Sequence, residues 1–135
     1  MCLFSHVAAG ALAGALSPNP YWAPFFGLGS HVLLDILPHY DFERMLNEFI
    51  FTICAVAVLA IGGVLHTAVV LGIVFGTLPD LENLLWRMGK IKNDQKIFPG
   101  HERILPHGRT AGITNLYLQI VASAAVLILL IRGYV

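Results

Sequence analysis

Apolar positions in this chain fall in long blocks, and short polar clusters punctuate them. The first block, 3–17, is rich in small residues and carries Gly10 and Gly14 in the G-x-x-x-G spacing that lets two helix backbones approach closely in a membrane. Pro18-Asn19-Pro20 ends it. The second block, 21–37, opens on Tyr21-Trp22, side chains suited to a membrane–water interface. It closes on His31 and Asp35, four apart and so on one helix face. Pro38 interrupts the helix there, and 39–48 is polar. The block 49–78 would be about 45 Å long as one helix, against a hydrocarbon core of about 30 Å. Gly62-Gly63 is its natural break. The split gives helices over 46–62 and 65–87, the second continuing past Pro79 with a kink. A polar loop over 88–108 precedes a last helix over 110–131. The expected fold is all-α, a polytopic membrane bundle of about five helices forming one integral membrane domain over 1–135.

Composition strengthens the membrane expectation. Hydrophobic residues make up 57% of the chain and charged residues 12%, where soluble domains hold about half and about a quarter. Five passes put the start of the first helix, the end of the second, the start of the third, the end of the fourth and the start of the fifth on one side. That side then holds every acidic residue, every histidine except His66 and every basic residue except Arg132. The positive-inside rule makes it the cytoplasmic side of an inner (plasma) membrane. A single helix across 49–78 would send Asp80 and the basic loop to the opposite side and spoil this segregation. Met1 to His6 lacks the positive n-region of a signal peptide, so the first block reads as a retained helix. The formal net charge of zero argues against a broad basic nucleic-acid surface. Cys2 and Cys54 sit in apolar surroundings and read as buried thiols rather than a disulfide framework.

The topology gathers ligand-type groups at one depth. His6 lies one turn into the first helix. His31 and Asp35 end the second, with His39 and Asp41 just beyond, and Asp80 and Asn83 share a face of the fourth. His101, His107 and Arg109 precede the fifth. Imidazoles and carboxylates together suit zinc, iron, manganese or nickel, and such ions can activate water in phosphoester hydrolysis. The candidate metal ligands are His6, His31, Asp35, His39, Asp80 and His107. Asn83 and Arg109 are candidate catalytic groups, the Arg109 fork matching phosphate oxygens. The expected cofactor is a divalent metal ion, zinc among the candidates. The expected partners are membrane lipid and a phosphoester substrate. Each residue also has an ordinary reading as an interface residue, helix cap, counter-ion or solvated loop group. Glu48, Glu82 and Glu102 read as solvated or paired with Arg or Lys, and His66 as an interface residue on the far side.

Other chemistries lack their signatures. There is no G-x-S-x-G elbow, Gly-rich phosphate loop, C-x-x-C or H-E-x-x-H. A channel or transporter would carry charges in its helix middles, and here they sit at one end.

Ser5-His6, Gly29-Ser-His31-Val-Leu-Leu-Asp35, Leu78-Pro-Asp80-Leu-Glu-Asn83 and Pro106-His-Gly-Arg109-Thr-Ala-Gly-Ile-Thr114 resemble the membrane-bound metal-dependent hydrolase family, whose members include LexA-binding, inner-membrane-associated hydrolases. They also resemble a set of small prokaryotic membrane proteins with an H-x-x-x-D-x-x-P-H segment. The resemblance implies a helical membrane protein that binds metal and hydrolyses a substrate. The family's metal-type positions fall on His6, His31, Asp35, Asp80 and His107. The larger family carries P-D-x-D-H where this chain has Pro79-Asp80-Leu-Glu82-Asn83, and the second histidine of its H-R-G-x-T-H is absent here, Gly112-Ile-Thr114-Asn115 standing in that place. Two alternatives stay open: a non-enzymatic membrane scaffold using the same polar cluster, and a metal-binding membrane protein without hydrolysis.

Overall fold

A computed structural model describes residues 2–98, 108 and 111–133. The described chain is helical: α1 (Leu3–Ala15), α2 (Ala23–Ile36), α3 (Met45–Ile61), α4 (Thr67–Thr77), α5 (Asp80–Arg87), a 3-10 turn (Asn93–Gln95) and α6 (Ile113–Ile131). Local chemistry sets the ends. Pro24 sits in the first turn of α2, where its missing N–H costs nothing. Leu37 is extended ahead of Pro38 and stops α2. Gly63, at φ +70°, takes the left-handed conformation that lets the chain leave α3 and turn into α4.

The expected kinked helix over 65–87 is two helices. α4 and α5 meet at Leu78-Pro79 with a bend of 47°. Proline removes a backbone donor and its ring clashes with the carbonyl four residues back, so the kink becomes a break and Asp80 opens a new helix.

The interior is built on α1, which packs against α4, α2, α3 and α6, while α2 also packs on α4. The α1–α4 contact is backbone to backbone. A Cβ on Gly10 would lie 2.6 Å from the Gly72 carbonyl oxygen, and one on Gly27 of α2 would lie 2.5 Å from the same atom. Glycine is therefore required where these three helices cross. At the polar end, Phe4, Phe42 and Phe51 form an aromatic cluster with centroids 5.3–6.3 Å apart. Leu59, Val69 and Leu127 extend that core.

Much of the remaining surface is apolar. Leu33, Ile53, Ile61 and Val121 are each about two-thirds exposed or more. One helix, Ile113–Ile131, is by itself long and apolar enough to cross a membrane, and Thr67–Thr77 with Asp80–Arg87 passes the same test as a bent pair. α1, α2 and α3 are apolar but shorter.

Candidate metal centre

Three helix ends converge on one buried cluster. His6 projects from the first turns of α1, His31 from the last turns of α2 and Asp80 from the start of α5. Each offers a ligand atom, and these atoms all lie within 4.8 Å of one another. All three residues are buried, His31 completely. Asp35 joins them: its carboxylate oxygens lie 3.4 Å from His6 Nε2 and 3.1 Å from His31 Nε2. His6 Nε2 is also 3.7 Å from Asp80 Oδ2. The two imidazoles stack with centroids 4.2 Å apart, and Phe98 meets His31 edge-on.

These separations suit one ion. Bonds of about 2.0–2.2 Å at tetrahedral angles put neighbouring ligand atoms about 3.4 Å apart. The His31 ring is held from behind by the Gly76 carbonyl, 2.8 Å from Nδ1. With the proton on Nδ1 donated to that carbonyl, Nε2 carries the lone pair toward the cluster. Such outer-shell bonds orient metal-binding histidines. Two buried atoms, His6 Nδ1 and Asp80 Oδ2, have no hydrogen-bond partner among the described residues. Burying a polar atom without a partner costs about 1–3 kcal/mol, which a cation bound to the carboxylate would offset. The buried His6, His31 and Asp80 group has the donor chemistry and the spacing to hold a metal ion.

His39 lies beyond the end of α2. Its Nε2 lies 3.4 Å from Asp41 Oδ1 and its Nδ1 2.9 Å from the Leu37 carbonyl, and its own carbonyl accepts the Ala111 N–H at 2.8 Å. Pro38 is the physical reason: it turns the chain out of α2, so the four-residue spacing from Asp35 does not continue. Asn83 is half-buried on α5, one turn beyond Asp80. His101, Glu102, His107 and Arg109 lie outside the described residues.

Two acidic groups do structural work at this end. Glu48 is buried rather than solvated, accepting the Leu3 N–H at 3.1 Å and pairing with Arg87 at 3.3 Å. Arg87 also donates to the Phe42 and Glu43 carbonyls, each at 2.9 Å. Glu82 accepts the backbone N–H groups of Ile97 and Phe98. Lys96 stacks its ammonium 4.2 Å above the Trp86 ring, and burial lowers its pKa against the opposing pull of Glu82. Burial pushes the Cys2 thiol up to about 11.

The Gly76 carbonyl behind His31 went unseen in the sequence. Its signal is there: Gly72 and Gly76 repeat the G-x-x-x-G spacing of Gly10 and Gly14.

A cleft of about 220 Å³ reaches His6, lined also by Cys2, Ser5, His39 and Gln119. A longer apolar cleft of about 490 Å³ runs between α1, α2 and α6. No protein-family model, curated protein or solved structure matches this chain.

Proposed function

We propose that this chain is a multi-pass membrane protein that holds a divalent metal ion between α1, α2 and the start of α5 and hydrolyses a phosphoester at the cytoplasmic face. The observation that carries the proposal is the buried His6, His31 and Asp80 group, drawn from three separate elements onto one point. Ionisable side chains in so apolar a chain are costly unless paired or ligated. The membrane part draws support from the many exposed apolar side chains of α2, α3 and α6, because large exposed apolar surface marks contact with lipid or protein.

A bound divalent ion would supply Lewis acidity and an activated water near neutral pH. The chain's own groups do the rest. His6, His31 and Asp80 are the ligands, and Asp35, against both imidazoles, completes the donor set. The Gly76 carbonyl fixes the His31 ring. The smaller cleft gives a phosphoester an approach past His39 to His6. In the reaction water oxygen bonds to phosphorus and the phosphorus–alkoxide bond breaks. The proton lost by water goes to the departing alkoxide.

Elemental analysis of the protein purified without chelators tests this. Near-stoichiometric metal is expected in the wild type, and at least a tenfold loss in His31→Ala and Asp80→Ala. Metal-dependent cleavage of p-nitrophenyl phosphate should follow the same order. A wild type without metal removes the hydrolase. Metal without turnover leaves a metal-binding membrane protein.

A further inference from the structure

The two clefts adjoin. Ser5, Leu34, Ala122 and Ser123 line both the pocket at His6 and the apolar cleft between α1, α2 and α6. At the junction the Ser123 hydroxyl donates to the Ser5 hydroxyl across 3.4 Å. From there the larger cleft follows α1 from Ser5 to Leu16, about 16 Å at 1.5 Å per residue. One leaflet of a bilayer's hydrocarbon core is about 15 Å deep. The cleft therefore starts at the level of the metal centre and ends near the depth where a lipid tail ends.

Its lining is apolar, with Leu12, Leu16, Leu33 and Val126 among its walls. Such a lining suits a hydrocarbon chain. Ala9, Ala13 and Ala122 keep the channel open.

We infer that this cleft binds the hydrocarbon tail of a phosphoester lipid whose head group sits at the His6, His31 and Asp80 centre, which makes the substrate a membrane lipid from the same leaflet. The inference rests on the metal-dependent hydrolase proposed above. It adds a mechanism of selection: the tail is read by fit along α1, and that fit delivers the phosphoester to the metal ligands.

The test uses the full chain in phosphatidylcholine nanodiscs. The probe is a phosphatidic acid carrying a photoreactive diazirine near the end of one tail, and labelled residues are mapped by peptide mass spectrometry. Labelling is expected to concentrate near Leu12, Leu16 and Phe26. It should fall at least fivefold in Ala13→Trp and, separately, in Ala122→Trp, both with wild-type metal content. A fatty alcohol with the same diazirine tail and no phosphate should label these positions at least fivefold less. Labelling spread evenly over Leu33, Ile53 and Val121, or insensitive to either tryptophan, overturns the tail site. Equal labelling by the alcohol overturns the link between cleft and metal centre. Absence of metal from the wild type is read in the elemental analysis and refutes the hydrolase on which the inference rests, so the two failures are distinct.

Discussion

His31 Nδ1 lies 2.8 Å from the carbonyl oxygen of Gly76, a residue of α4 that is 45 positions further along the chain. The bond ties the imidazole that faces Asp35 to the backbone at the end of α4, close to where Asp80 begins α5. It also decides which ring nitrogen can take a metal. Selective nitrogen-15 labelling of histidine should show the His31 Nδ1 protonated in the neutral ring, and added zinc should shift Nε2 by far more than Nδ1. A zinc shift centred on Nδ1 would mean that the ring has turned and that the cluster geometry is wrong.

The crossing of α1 and α4 controls the same site from a distance. A Cβ at Gly10 would meet the Gly72 carbonyl at 2.6 Å, and backbone cannot yield as a flexible side chain can. Gly10→Leu is expected to cost about 1–3 kcal/mol by overpacking and to move His6 away from Asp80, lowering thermal stability and bound metal together. Gly29, exposed on the side of α2 that lines the larger cleft, has nothing within 4 Å of a built Cβ. Gly29→Ala should be neutral or slightly stabilising, as expected for an alanine in a helix interior. Thermal unfolding in detergent with parallel metal analysis checks both. Equal behaviour of the two variants would show that the tight crossing does not position the ligands.

The helix boundaries were legible because they depend on single residues. Gly62-Gly63 divided a block too long for one span, and Pro38 stopped α2. The shared face of His31 and Asp35 followed from their spacing alone. Pro79 was harder, since a proline inside an apolar run can kink a helix or break it, and the choice depends on what packs beyond it. Here Arg87 and Glu82 anchor α5 to the loops at 42–43 and 97–98, contacts that no local pattern encodes. Pairing of Glu48 with a basic residue was one of its readings, and Arg87 supplies it, but its burial was illegible for the same reason. A glutamate in the first turn of a helix looks like a solvated end, and its partners Leu3 and Arg87 are 45 and 39 residues away.

That burial gives Glu48 a measurable role in stability. It is 2% exposed and receives both the Leu3 N–H and the Arg87 guanidinium. Removing one partner of a buried pair costs about 3–5 kcal/mol. Arg87 keeps its two carbonyl acceptors, so Glu48→Ala should fall below that range, at about 2 kcal/mol, in line with losing a charged hydrogen-bond acceptor. Glu48→Gln preserves an acceptor for Leu3 and should lose less. Denaturation of the purified variants checks the order. A Glu48→Ala protein as stable as wild type would show that the α1 and α3 ends are held by packing alone.

The two cysteines report on their environments. Cys2 is buried and its thiol is raised to about 11, so at pH 8 about one thiol in a thousand is ionised, and the thiolate is the reactive form. Cys54 is exposed on the outer face of α3. If that face meets lipid, a charged methanethiosulfonate reagent should fail to modify Cys54 in sealed membranes and should modify it once detergent and denaturant admit water. Cys2 should resist in native protein at pH 8 under either condition and become reactive on unfolding. Rapid labelling of Cys54 by the charged reagent in intact membranes would place α3 in water. The exposed apolar faces of α2 and α6 would then need a protein partner rather than a bilayer to cover them.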